Sequence, residues 1–147
     1  MLLNSSKFWL LIVALGPLSA ALSLQNATLQ NKQAHADDSV VLGDWRGDSI
    51  CQVRESACHD EDSLYQVGRL AEKRGGFSLK ADKIVEGKPV TMGTVECTYE
   101  PAKRAFTCEF ARGVFQFTVR GNKMEGTMTL RDGTLWRKIN LKKVGSR

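Results

Sequence analysis

At 147 residues, with 21 basic and 16 acidic side chains, the chain has room for one domain and carries a formal charge of +5. That balance excludes a nucleic-acid-binding composition and leaves only mild attraction to anionic surfaces. Lys7 precedes an apolar run from Phe8 to Leu15, Gly16 and Pro17 interrupt it, and small residues follow at Ser19, Ala20 and Ala21. A cation, a short apolar core and a small-residue cleavage site predict a secretory signal peptide over 1–21. The alternative is an uncleaved anchor over 8–24, a stretch barely long enough to span and broken by Gly, Pro and two Ser. Cleavage would leave no membrane span and an extracytoplasmic product, secreted or periplasmic. Residues 22–40 are rich in Gln, Asn, Ala and Asp without apolar periodicity, and are expected to form a disordered polar tether. Asn26-Ala27-Thr28 is a glycosylation sequon if the source is a eukaryote.

Residues 41–147 form the expected domain. Period-2 alternation between turn signals places strands at 41–51, 63–70, 77–85, 91–99, 105–110, 114–120, 123–130 and 134–144. Every link is short, so successive strands must pair as antiparallel hairpins, because a parallel crossover needs a dozen residues or more. The sixth strand alternates Phe115, Phe117 and Val119 with Gln116, Thr118 and Arg120. In the seventh, Met124, Gly126, Met128 and Leu130 share a face; in the eighth, Leu135, Arg137, Ile139 and Leu141 do. One apolar face over eight strands is best buried by closing the sheet on itself, which also removes both edges. The predicted fold is therefore all-β, an eight-stranded antiparallel up-and-down barrel. A two-sheet sandwich is the alternative, disfavoured by the lack of any long crossover.

The four cysteines follow an export signal, which makes two disulfides the default. Centring the fourth hairpin on Ala102-Lys103 pairs Tyr99 with Phe106, Cys97 with Cys108 and Val95 with Phe110, all on the apolar face. Cys97–Cys108 is then a cross-strand bridge of the close antiparallel type. Cys51–Cys58 clips the loop between the first two strands. Each bridge closes a short loop and should stabilise by about 2–3 kcal/mol. Four thiolates on one zinc would need close Cys-x-x-Cys pairs, which these spacings do not supply, so no metal and no cofactor is expected.

Gly43-x-Trp45 on the first strand and Arg137 on the last strand of such a barrel resemble the lipocalin and wider calycin families. The resemblance implies that Trp45 plugs one end of the barrel while Arg137 packs across it, and it implies a lipocalin-like interior. The chain lacks a matching Thr-Asp-Tyr segment and shows no helix after the barrel. Without any family, an inward arginine needs its charge shielded, and an indole face offers about 0.5–2 kcal/mol. Asp44, Asp48, Asp60 and Glu61 are acidic candidates at the rim.

Other motifs carry less. Cys58-His59-Asp60-Glu61-Asp62 gathers metal-ligand types, but adjacent residues of an extended chain point opposite ways, and the domain has no second histidine. A solvated loop is expected there. Arg46-Gly47-Asp48 spells an adhesion tripeptide but falls within a strand, where it reads as coincidence. Arg131, Arg137, Lys138, Lys142, Lys143 and Arg147 make the last strand basic, a face that blunts the seam or docks an acidic partner. No nucleophile elbow, phosphate loop or His-activated nucleophile is present, so no enzyme is expected.

Two functions remain. One is a binding module holding a small apolar ligand, with Tyr99, Phe106, Phe115, Phe117, Met124 and Met128 as ligand-lining candidates and Ala81, Gly93 and Gly126 making room. The other is a solid barrel acting as a scaffold for an envelope protein or as an inhibitor of a secreted enzyme. Cavity volume discriminates them: several hundred Å³ favours the first, a filled interior the second.

Overall fold

The computed structural model describes residues 38–145 and contains the eight expected strands. They are β1 (Gly43–Cys51), β2 (Glu61–Arg69), β3 (Gly76–Val85), β4 (Lys88–Glu100), β5 (Ala105–Phe110), β6 (Gly113–Arg120), β7 (Lys123–Leu130) and β8 (Leu135–Gly145). Each pairs with its chain neighbours, and β8 returns to β1, closing the barrel. Both disulfides form as expected, with Cα atoms 5.8 Å apart at Cys51–Cys58 and 4.1 Å apart at Cys97–Cys108. The hairpin register holds at Tyr99↔Phe106 and Cys97↔Cys108, but the expected pair Val95–Phe110 does not form, because the ladder between β4 and β5 ends at the disulfide.

The signal peptide and most of the tether fall outside the described residues. The last tether residues do not belong to a tether: Ser39–Val41 form a 3-10 turn, Val41 is fully buried, and Val40 packs against the core. The apolar pair Val40-Val41 is the sequence signal for this correction, since burying it stabilises an ordered start.

The hairpin between β3 and β4 is tighter than the sequence suggests. Glu86 and Gly87 both take positive φ, at 50° and 77°, the signature of a two-residue hairpin turn. Pairing therefore resumes at Val85↔Lys88, and Pro89 lies inside β4 rather than in a loop. Proline is tolerated because β5 does not reach this part of β4, so the missing N–H faces an uncovered edge.

The inward faces follow the predicted alternation except at the start of β8, where a register shift leaves Leu135 exposed while Trp136 borders the interior, and one half of the barrel is densely filled. Trp45, Phe77, Leu79, Phe106, Phe117, Val119, Met124, Ile139 and Leu141 are all buried there. Phe77 meets Phe106 edge-on with centroids 5.9 Å apart, and Phe106 lies 6.3 Å from Phe117. Gly126 makes no room: an added Cβ would collide with the Gln116 carbonyl oxygen and the Phe117 Cα. Its missing side chain is already used by Phe117.

Candidate functional site

The two ends of the barrel differ in chemistry. At the end closed by the 3-10 turn, Trp45 is fully buried and its Nε1–H donates to the Val41 carbonyl at 2.8 Å. The cation over its ring is Lys143, with Nζ 5.0 Å from the centroid, and the same ammonium donates to the Val40 carbonyl at 2.8 Å. Burial lowers the Lys143 pKa below its ordinary value. Trp45 is thus buried beside the 3-10 turn and under Lys143, and it does not meet Arg137. In the β1–β8 ladder Trp45 stands opposite Lys143 while Arg137 stands opposite Cys51. Six residues along a strand separate the two by about 20 Å.

Arg137 therefore belongs to the opposite end, where it is 9% exposed. Its Nη1 donates to the carbonyls of Ser49 at 3.1 Å and His59 at 2.9 Å, and Nη2 pairs with Glu61 Oε1 at 3.1 Å. Of the four acidic candidates at the rim, Glu61 is the partner. The loop 52–60 is strapped down by that His59 contact and by three further links. The Gln52 N–H donates to the Trp136 carbonyl at 3.0 Å, the Cys51 N–H donates to the Asp60 carboxylate at 2.8 Å, and the bridge Cys51–Cys58 closes the loop. The His59-to-Asp62 cluster forms no metal cage: no group of three or more ligand-type side chains converges among the described residues. Asp62 instead holds Arg46 at 2.6 Å on the outer surface, which also lowers the Asp62 pKa through that hydrogen bond. Arg46 of the adhesion-like tripeptide is thereby engaged within a paired strand.

Between this polar pole and the filled half lies a cavity of about 280 Å³. Glu61, Tyr65 and Arg137 form its polar wall, Val95, Met92, Phe110, Phe115, Met128 and Trp136 form its apolar one, and the exposed Arg112 borders it as a second cation. Tyr65 is buried, with its hydroxyl among Ser49, Ser63, Arg137 and Glu61, and burial pushes its pKa up to about 12. An unfolded tyrosine ionises near pH 10, whereas the folded one stays neutral to about pH 12. Tyr65 stability is fully present below pH 10 and falls by about 1.4 kcal/mol per pH unit between those limits. A denaturation series from pH 9 to 12 should show this extra loss in the wild type and not in Tyr65→Phe; equal slopes would disprove it.

The structure sorts the ligand-lining candidates. Phe115 and Met128 border the cavity. Phe106, Phe117 and Met124 do not, because they are packed into the filled half, and Tyr99 packs partly buried against that same core. Inward alternation finds a face, not a height along the barrel, so these residues looked equivalent in sequence. Of the small residues, Ala81 and Gly93 border the cavity, whereas Gly126 does not. Glu61, Tyr65, Met92, Val95, Phe110, Arg112 and Trp136 are lining residues the sequence reading does not name, although it places Val95 and Phe110 on the inward face.

Among the described residues no helix is long and apolar enough to cross a membrane. Neither a protein-family model nor a curated protein matches the sequence. The closed eight-stranded antiparallel barrel is consistent with a lipocalin-like fold.

Proposed function

We propose that this protein is an extracytoplasmic binding module for a small apolar molecule, without catalytic activity of its own. The observation that carries the reading is the half-filled barrel: a cavity of about 280 Å³ with a largely apolar wall, a buried polar pole at Glu61, Tyr65 and Arg137, and the exposed Arg112 at its border. A cavity of roughly 150 Å³ accommodates benzene, so this one suits a molecule of about twice that size. Two disulfides and the predicted signal peptide support an oxidising compartment.

The polar pole also favours a neutral head group. Arg137 already meets two backbone carbonyls and Glu61, so an arriving carboxylate would have to displace Glu61 from a buried ion pair. Glu61 Oε2 has no hydrogen-bond partner among the described residues. Rotation about the broad terminal torsion of Glu can present that oxygen to a ligand hydroxyl or amide N–H. A hydrogen-bond donor completes this pole; a second anion does not.

The scaffold or inhibitor reading draws on the uncovered edge of β4, to which an extended partner could add as a strand. Pro89, Lys88 and Glu96 along that edge are the features by which exposed edges resist such pairing, so this reading is the weaker one.

Native mass spectrometry of protein purified from its own host tests the binding reading. A retained small molecule is expected, and it should be lost in Ala81→Leu, whose extra methyl groups enter the cavity. Because those groups fill empty space, stability should change by less than about 1 kcal/mol. Retention undiminished in Ala81→Leu would place the molecule elsewhere.

A further inference from the structure

We propose that the cavity takes a single-chain neutral amphiphile whose tail leaves the barrel sideways, between β4 and β5, and not through the rim. The inference rests on the binding reading above and adds the shape of the ligand and its route.

The wall of the barrel is incomplete at one place. Ladder pairing between β4 and β5 runs only from Glu100↔Ala105 to Cys97↔Cys108, and the disulfide is its last rung. Beyond it β4 continues for nine more residues to Lys88 paired with β3, whereas β5 ends two residues on at Phe110. The strands diverge there, leaving a cleft on the outer surface lined by Thr94, Val95, Glu96, Thr107, Glu109 and Phe110. Val95 and Phe110 border both that cleft and the inner cavity, so these two side chains are the partition between the two spaces.

The rim is obstructed on the side of β1 and β2, while Arg112 and Trp136 border both the cavity and a surface cleft beside Leu130 and Asp132. The loop 52–60 is fastened to the start of β8 by the Arg137–His59 and Gln52–Trp136 hydrogen bonds and clipped by Cys51–Cys58. The side exit, in contrast, opens onto apolar surface. Met92 lines the cavity yet is 47% exposed, and Val90 further along the same strand is 45% exposed. Val90 pairs with Lys83, two residues beyond the inward Ala81, so it stands on the inward-turned face of the hairpin above the cavity. The polar pole at Arg137 and Glu61 lies on the β2 and β8 side, across the cavity from this opening. A head group at the pole therefore directs a tail toward Val95, and a longer tail onto Met92 and Val90. A cavity of this volume holds about nine water-sized groups, which a hydroxyl and a chain of about eight carbons fill.

The test is a series of straight-chain 1-alkanols from hexanol to tetradecanol, with affinities measured by calorimetry or native mass spectrometry. Each methylene buried in the cavity should tighten binding by roughly threefold to fourfold. With a side exit, affinity keeps rising beyond octanol. Thr94→Trp, at an exposed residue that lines the outer cleft and not the cavity, should stop that rise while leaving hexanol within about twofold of wild type, since one indole would fill the opening. Val90→Glu, at an exposed position that cannot disturb folding much, should weaken tetradecanol by roughly tenfold and leave octanol unchanged. A wild-type plateau at octanol, or a rise indifferent to both variants, would overturn the side exit and leave the cavity reading intact. Failure of every alkanol to bind would overturn both.

Discussion

Arg137→Ala should cost this barrel about 3–5 kcal/mol, read as a fall in the denaturation midpoint at unchanged slope. The magnitude follows from what the guanidinium leaves behind. Glu61 Oε1 would lose its ion-pair partner in a site 18% exposed, and the Ser49 and His59 carbonyls would lose their donor. A domain of this size has roughly 5–15 kcal/mol in total, so about a fifth or more of the stability rests on one side chain. The cost comes from stranding partners, not from the worth of the pair itself. Replacing both charges, Arg137→Met with Glu61→Leu, should therefore recover most of the loss, because an apolar pair of similar volume needs no compensation. Loss of the His59 contact should also expose loop 52–60 to faster amide exchange. A single-variant cost below about 1 kcal/mol would show that the guanidinium is effectively solvated.

Trp45→Ala should be comparably damaging, at about 3–5 kcal/mol, since it empties the largest buried side chain and strands the Val41 carbonyl. Lys143→Met should be far milder, at about 0.5–2 kcal/mol, and should change Trp45 emission by removing the cation above the ring. In a Trp136→Phe background, Arg137→Ala should leave Trp45 emission unchanged. A shift with Arg137→Ala and none with Lys143→Met would reverse the assignment of the two cations.

Much of the architecture was legible from residues close in sequence. Short turns force antiparallel neighbours, and alternation such as Phe115, Phe117 and Val119 names the inward face. The turn centred on Ala102-Lys103 sets the register that brings Cys97 opposite Cys108. Less of the site was legible. Alternation could not say that Phe115 borders open space while Phe117, two residues on, is packed solid, because height along a barrel depends on what the other strands contribute at that level. Nor could it show that β5 stops short of β4's far end, since strand lengths match across a sheet only when the partners continue together.

The sequence by itself determined the meander, the faces and both disulfides, because each depends on a turn or a period within one hairpin. Only the tertiary structure decided which cation stands over Trp45 and which faces the cavity. Those outcomes depend on the β1–β8 pairing, which closes the barrel. No turn joins those strands; their register is set by the tilt and stagger accumulated around all eight. That closure places Lys143 at the Trp45 end and carries Arg137 about 20 Å away to the pole of the cavity.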